Sequence, residues 1–210
     1  MENWKEIVQT AAWVGRELFE RGKTSGSSAN LSFWWDGHLY ITRSGGCFGA
    51  LDETSFACVD KAGNLLGDIK PSKELPLHRI LYQAHPEVQA IIHVHSPYCV
   101  LWSSLPDLNP ADAVPAYTPY LRMKLGAISL VPYAPPGSRQ LFEAFQAHGT
   151  AGCGRLLAHH GPVVGGKTLT DAFYALEELE ESCRIAWEVR ASGLPIKTID
   201  EAPRSAATAP

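Results

Sequence analysis

Apolar residues follow two different periods along this chain of 210 residues. Between residues 4 and 21 they recur every three or four positions, which predicts an amphipathic helix, and Gly22 is suited to end it. Shorter apolar runs at 31–35 and 38–42 predict two strands, because the Asp-Gly pair between them is typical of a hairpin turn. The N-terminal part is therefore predicted to be a helix followed by a hairpin.

The same periodicities predict the elements that follow. A helix is expected from Ser72 to about Ala84, with Pro76 in its first turn, where the missing N–H does little harm. It leads into an apolar strand, Ala-Ile-Ile-His-Val-His, at 90–95. Residues 106–120 are rich in proline and are predicted to be a loop. Helices are also expected at 98–105, at 139–147 and from 170 onward, and strands at 56–59, 64–66, 128–131 and 155–160.

These elements mix without a regular βαβ alternation, which predicts a mixed or largely antiparallel sheet flanked by helices. The length favours one domain, taken as residues 1–190, and residues 191–210 are predicted to be a C-terminal tail because they have little to bury. The glutamates between 177 and 181 are expected to form a solvated face of the last helix. Trp34 and Trp35 are expected to face opposite sides of the sheet, since side chains alternate along a strand.

Composition narrows the classes of function. A hydrophobic content of 45% suits a globular core, and a net charge of −4 gives no electrostatic reason to expect nucleic acid or an anionic membrane as partner. The five cysteines are scattered and odd in number, which predicts reduced thiols in a cytoplasmic protein. The N-terminus does not resemble a signal peptide, and no apolar run approaches the roughly 18 residues of a membrane span.

Two histidines two positions apart, His93 and His95, point to the same side of their predicted strand and can share a metal ion, for which zinc is the best fit. A pair of ordinary strand histidines is the alternative. A third imidazole can come from His159 or His160 on a second strand, where alternation lets only one of them face the metal. Glu74 can reach the same cleft as a ligand or as a proton carrier, although acids also favour helix N-termini for electrostatic reasons.

Three segments of small residues, at 27–30, 44–46 and 72–73, can expose backbone N–H groups to a phosphate, with Lys73 adding a full charge. Each alone is more often a turn or a helix cap. His78 and His85 are expected to be packing or helix-end residues and not ligands.

The chain resembles the class II aldolase/adducin family over about residues 5–190. The resemblance is carried by the His-x-His motif at 93–95, the later His-His-Gly at 159–161, Pro-Ser-Lys-Glu at 71–74 and the loop before Asn30. Finer segments resemble the branch of 3-oxo-tetronate 4-phosphate decarboxylases; they lie at 70–74, 117–120, 130–137, 160–164 and 177–181. The family implies a three-layer α/β/α fold with a mixed, largely antiparallel central sheet, and a homotetramer with its sites between subunits.

The resemblance also implies residue roles. It makes His93, His95 and His160 the ligands of one Zn²⁺ per subunit, with another divalent metal as an alternative, and Glu74 the acid/base and a further ligand. Tyr120 matches a tyrosine that donates a proton in the aldolases. The residues implied to surround the substrate phosphate are Asn30, Ser44, Gly45, Ser72 and Lys73. Ala29 and Arg43 depart from the family pattern. Arg43 can add charge to the phosphate pocket or narrow it, which puts the geometry of that pocket in question.

The implied reaction is zinc-dependent decarboxylation of a 3-oxo-tetronate 4-phosphate to dihydroxyacetone phosphate and carbon dioxide, through a metal-bound ene-diolate. A class II aldolase or 4-epimerase acting on a short sugar phosphate, as in fuculose-phosphate aldolase, uses the same ligands and is the alternative. A non-catalytic, adducin-like assembly module is a third possibility. The expected partner is a small phosphorylated sugar acid or sugar phosphate.

Overall fold

The computed structural model describes residues 3–149 and 152–200, which fold around one eight-stranded sheet. The strands are β1 (Asn30–Trp35), β2 (His38–Thr42), β3 (Phe56–Val59), β4 (Leu65–Leu66), β5 (Ala90–His93), β6 (Ser129–Val131), β7 (Gly154–Leu157) and β8 (Gly161–Gly166). The α-helices are α1 (Trp4–Glu20), α2 (Leu75–Ala84), α3 (Pro97–Ser103), α4 (Pro119–Leu125), α5 (Arg139–Ala147) and α6 (Leu169–Ser192).

The strand order is β4-β3-β2-β1-β5-β8-β7-β6, and each of these pairings is antiparallel except that of β6 with β7. The predicted hairpin turn is present, because Asp36 and Gly37 both have positive φ, at 45° and 76°. The sheet is therefore mixed and largely antiparallel, as predicted.

Two apolar cores, one on each face of the sheet, produce three layers. Buried side chains of α1, α3, α4 and α6 form the larger core, and those of α2 and α5 form the smaller one on the opposite face. Trp35 packs against the larger core and Trp34 against the smaller, so the two tryptophans do face opposite ways. The three-layer α/β/α prediction is confirmed.

The register of β5 with its two neighbours positions the chemistry. His93, the last residue of β5, pairs with Asn30 of β1 on one side and with Val163 of β8 on the other. A shift of one residue would turn each of these side chains to the opposite face of the sheet. The central strand therefore brings an imidazole next to segments that are distant in the sequence.

Several predicted boundaries were wrong by a few residues. The second helix begins at Leu75 and not at Ser72, so Glu74 is the residue before the helix and not part of its first turn. A helix missed by the sequence reasoning, α4, starts at Pro119 inside the segment predicted to be a loop through residue 120. The last helix extends through Ser192, past the predicted start of the tail, and residues 201–210 of that tail lie outside the described residues.

The prediction of a solvated acidic face on α6 was wrong at Glu180. Its side chain is buried, and its carboxylate accepts hydrogen bonds from the backbone N–H groups of Tyr98 at 3.1 Å and Cys99 at 2.9 Å, while Lys23 lies 3.5 Å away. These N–H groups belong to the first turn of α3, where an α-helix has no internal acceptors for them. A carboxylate from another helix therefore satisfies the start of α3.

Candidate active site

Three imidazole rings meet at the end of the central strand. One ring nitrogen from each of His93, His95 and His160 lies within 4.8 Å of the others, and the ring centroids are 4.7 to 5.1 Å apart. Nε2 of His93 lies 3.3 Å from Nε2 of His160. The structure therefore brings together the three histidines that the family resemblance implied.

Local backbone geometry decides which imidazoles meet. β5 ends at His93, so His95 lies just beyond the strand, and His160 closes the turn between β7 and β8. His159 adopts the left-handed conformation in that turn, with φ 57°, and its ring packs against Tyr133. A turn, and not strand alternation, therefore separates the two neighbouring histidines.

Gly161 allows the close approach of this turn to β5. A Cβ atom at this position would overlap the backbone carbonyl oxygen of Val94 and lie 3.1 Å from Cα of His95. Its φ of 141° is also in the region that favours glycine. The missing side chain lets the backbone of the His160 turn pack directly against the residues next to His95.

The protonation of the rings suits metal binding. His93 donates from Nδ1 to the backbone carbonyl of Pro162 at 2.8 Å, which leaves the lone pair on Nε2 directed at the other two rings. Burial lowers the pKa of His93, and it lowers the pKa of His95 and of His160 to about 4. Because neutral imidazole is the ligand form, the three rings are ready to bind a cation near neutral pH.

Glu74 completes the cluster from the start of α2. Its Oε2 lies 3.3 Å from Nε2 of His93, its Oε1 lies 3.5 Å from Nε2 of His160, and Nδ2 of Asn30 donates to Oε2 at 2.9 Å. Burial raises the pKa of Glu74, but the two imidazoles and the Asn30 hydrogen bond outweigh it, so the pKa lies below its usual range. A buried carboxylate thus faces three imidazoles.

The donor set fits a divalent cation. Oε1 of Glu74 and Nε2 of His95 are buried and lack a hydrogen-bond partner among the described residues, although buried polar atoms are normally paired. Three imidazole nitrogens with one carboxylate are ligands that zinc accepts, and a catalytic zinc keeps a position open for another molecule. The described residues thus include a group able to hold a metal ion.

A cleft of about 380 Å³ opens beside this cluster and collects the predicted phosphate residues. Its walls include all five of them, together with Glu74, His95, His160, Arg43 and Pro136. Backbone hydrogen bonds hold two of the small-residue segments together, because Ser44 N–H donates to Lys70 and Ser72 N–H donates to Thr42. The basic side chains of Lys73 and Arg43 therefore line the same cleft as the histidine cluster.

Tyr120 is the one predicted site residue that the structure leaves apart from the others. It lies in α4 with 56% of its surface exposed, and it is not among the described residues that line the cleft. Its role as a proton donor stays a prediction. Arg43, which was expected either to add charge to the phosphate pocket or to narrow it, lines the cleft. Pro136 also lines the cleft, although it was not predicted to be a site residue.

Comparison with known proteins identifies the family. Residues 9–187 match the family model described as "Class II Aldolase and Adducin N-terminal domain", so the chain belongs to that family. A Haemophilus influenzae protein named 3-oxo-tetronate 4-phosphate decarboxylase is 40% identical over 173 residues, which cover 82% of each chain. A Methanococcus vannielii protein named L-fuculose phosphate aldolase is 34% identical over 171 residues, which cover 80% of this chain and 88% of that protein. The crystal structure of YgbL from Escherichia coli superposes with a TM-score of 0.87 at 32% identity, covering 93% of this chain and 94% of that one.

The comparisons confirm the predicted family, the fold class and the assignment to the lyases, because the similar proteins are named as decarboxylases and aldolases of this family. In the part of the chain that the structure describes, no helix combines the length and the apolar character needed to cross a membrane.

Proposed function

We propose that this enzyme decarboxylates a 3-oxo-tetronate 4-phosphate to dihydroxyacetone phosphate and carbon dioxide, with zinc as its metal. The observation that carries the proposal is the 40% identity to a protein named for that activity over 82% of both chains. The identity to the protein named as a fuculose phosphate aldolase is lower, at 34%.

The chemistry of the site agrees with this reaction. A carboxyl group β to a ketone leaves as carbon dioxide, and the carbon that it leaves must then accept a proton. Held by His93, His95 and His160, a zinc ion would supply Lewis acidity to the substrate ketone. Glu74 lies against the histidines and can hold and deliver the proton, directly or through a water molecule.

The remaining walls of the cleft suit the other end of the substrate. Lys73 and Arg43 supply positive charge, while Ser44 and Ser72 offer hydroxyl groups and Gly45 a backbone with little bulk. A chain of four carbons with a phosphate at one end can therefore lie between the basic residues and the histidines. The net charge of −4 makes this local arrangement, and not the overall field, responsible for attracting the anion.

Parallel assays test the proposal. The purified enzyme, stripped of metal and reloaded with zinc, is given the 3-oxo-tetronate 4-phosphate and, separately, L-fuculose 1-phosphate, and released carbon dioxide and dihydroxyacetone phosphate are measured. We expect metal-dependent release of both products from the first substrate. Faster cleavage of the sugar phosphate would instead support the aldolase alternative, and inertness of the zinc-loaded enzyme toward both would support the non-catalytic one.

The proposal includes a cytoplasmic homotetramer with a domain over residues 1–190. All five cysteines lie among the described residues and carry free thiols, which supports a reducing compartment. Exposed apolar side chains such as Met123, 75% exposed, and Leu194, 63% exposed, support an assembly that covers them. Sedimentation velocity measures the assembly state directly.

A further inference from the structure

A row of buried polar side chains runs from Glu74 along the interface between β1 and α2. Nδ2 of Asn30 donates to Glu74, and Oδ1 of the same amide lies 2.5 Å from Nε2 of His78. Nδ1 of His78 lies 2.7 Å from Oγ of Ser32, which in turn lies 2.9 Å from the hydroxyl of Tyr82. All five residues are buried. Oε2 of Glu74 and the side-chain polar atoms of Asn30, His78, Ser32 and Tyr82 therefore each have a partner within the row.

The carboxylate of Glu74 fixes the direction of every hydrogen bond in the row. A carboxylate has only acceptors, so the Asn30 amide must turn its NH₂ group toward Glu74 and its carbonyl oxygen toward His78. Nε2 of His78 must then carry the proton. Burial lowers the pKa of His78 to about 3, so the ring is neutral and its Nδ1 is an acceptor. Ser32 consequently donates to His78 and accepts from Tyr82.

The reverse arrangement fails at its first step. A flipped Asn30 amide would set its carbonyl oxygen 2.9 Å from a carboxylate oxygen, with no hydrogen between two acceptors. Such a contact in a buried site is strongly unfavourable, because neither oxygen is compensated by water. The row therefore has one consistent direction, with all its donors pointing toward the histidine cluster.

We propose that His78 is a positioning residue. It holds the Asn30 amide in the orientation that turns the NH₂ group of Asn30, and not its carbonyl oxygen, toward the active site. Asn30 lines the cleft, its oxygen is occupied by His78, and one of its two N–H bonds is used by Glu74. The second N–H is left for an anionic oxygen in the cleft. His78 thereby adds to the selectivity for a phosphorylated substrate and keeps Glu74 in place. This inference rests on the proposed function for the identity of that substrate.

The sequence placed His78 among packing histidines, and a packing role makes a different prediction. A histidine that only fills space can be replaced by a side chain of similar size without changing the chemistry. Here both ring nitrogens are engaged in a defined order, so loss of the Nε2 donor releases the Asn30 amide even when the volume is kept. The contrast between a replacement that donates and one that does not separates the two roles.

The matched variants are His78→Gln, whose side-chain amide can still donate to Asn30, and His78→Met, which is of similar length and cannot. We expect the methionine variant to retain its metal, to bind inorganic phosphate about tenfold more weakly in calorimetry and to lose a similar factor in kcat/KM, since a tenfold change is about 1.4 kcal/mol and one oriented hydrogen bond contributes this much. The glutamine variant should keep most of the wild-type phosphate affinity and most of the wild-type kcat/KM. Equal phosphate affinity and kinetics in wild type and His78→Met would overturn the proposal.

Nitrogen NMR of histidine-labelled wild-type enzyme gives a second test that needs no variant to fold. The expected result is a neutral His78 ring with its proton on Nε2, and a proton on Nδ1 instead would overturn the proposal. Neither this measurement nor phosphate binding uses the 3-oxo acid substrate. If the zinc-loaded wild type proves inert while both measurements agree with the expectation, the proposed reaction fails and the role of His78 stands.

Discussion

His93 donates from Nδ1 to the backbone carbonyl of Pro162, the second residue of β8, over 2.8 Å. This contact holds the ring in one tautomer and one orientation before any ion arrives. The acceptor is a main-chain oxygen, so no side-chain substitution at position 162 removes it. The candidate metal site is therefore prepared by the pairing of β5 with β8 as much as by the histidines themselves.

Replacing His95 with alanine should abolish stoichiometric zinc binding and activity. The change removes one of the three imidazole nitrogens that lie within 4.8 Å of one another, and with it one ligand of the ion. Metal content by mass spectrometry after dialysis is the measurement. His159→Asn is the control, because asparagine tolerates the left-handed conformation at that position and the residue lies outside the cluster. Full zinc content in the His95 variant would contradict the assignment.

Replacing Glu74 with glutamine should largely preserve metal binding but slow turnover. Glutamine keeps the size of the side chain but cannot carry the proton, and general acid–base catalysis contributes on the order of 10²–10⁴ to rate. Steady-state kinetics with zinc content measured in the same samples tests this. A kcat within about twofold of wild type would remove Glu74 from the proton-transfer role.

Replacing Gly161 with alanine should lower the free energy of unfolding by at least about 2 kcal/mol, because strain at φ 141° adds to a backbone overlap with Val94. Urea denaturation measures the loss. Gly22→Ala is the matched control: that glycine also has positive φ, but a Cβ there meets nothing within 4 Å. Equal losses in the two variants would mean that the overlap with Val94 is of no consequence.

Stability of the metal-free enzyme should fall as the pH falls below about 6.5. His78 is protonated in the unfolded chain below that value but stays neutral in the native state down to a pKa of about 3, so the unfolded state binds more protons between the two. Wild type should lose about 2 kcal/mol more than His78→Gln between pH 7 and pH 5. Urea titrations at both pH values measure the difference. Equal losses of stability in wild type and His78→Gln would show that His78 does not titrate in this way.

Replacing Glu180 with leucine should destabilise the fold by about 1–3 kcal/mol, because a buried and a part-buried N–H group at the start of α3 lose their acceptor. The control is Glu181→Leu on the same helix, whose partner Arg184 is exposed and whose ion pair contributes less than about 0.5 kcal/mol. Denaturant unfolding compares the two. A Glu180 variant as stable as the Glu181 variant would contradict the capping role.

Those parts of the fold and of the site that depend on short-range sequence patterns could be predicted. Periodicity located the helices other than α4, the Asp-Gly pair located the hairpin, and the spacing of His93 and His95 indicated two imidazoles on one side. Asn30 was expected near the phosphate through family resemblance, and it does line the cleft.

Long-range relationships could not be predicted in this way. Glu180 lies in an acidic run typical of a solvated helix face, and nothing nearby in the sequence indicates that the first turn of α3 packs against it. His78 lies between Leu77 and Leu81 on the buried side of α2, so its pattern indicates packing alone. Its partners Asn30 and Ser32 come from a strand more than forty positions earlier, as the separations of 48 and 46 residues show.

The register of β5 between β1 and β8 has a consequence for how activity arises during folding. Asn30, His93 and Val163 stand side by side across three strands, and the interactions of Glu74 and His160 with His93 span 19 and 67 positions of the chain. A partly folded chain in which β8 has not yet docked on β5 lacks the contact of His160 with His93, and one in which β1 has not docked lacks the hydrogen bond from Asn30 to Glu74. Catalytic competence should therefore emerge in the last cooperative step, together with closure of the sheet, and not accumulate gradually.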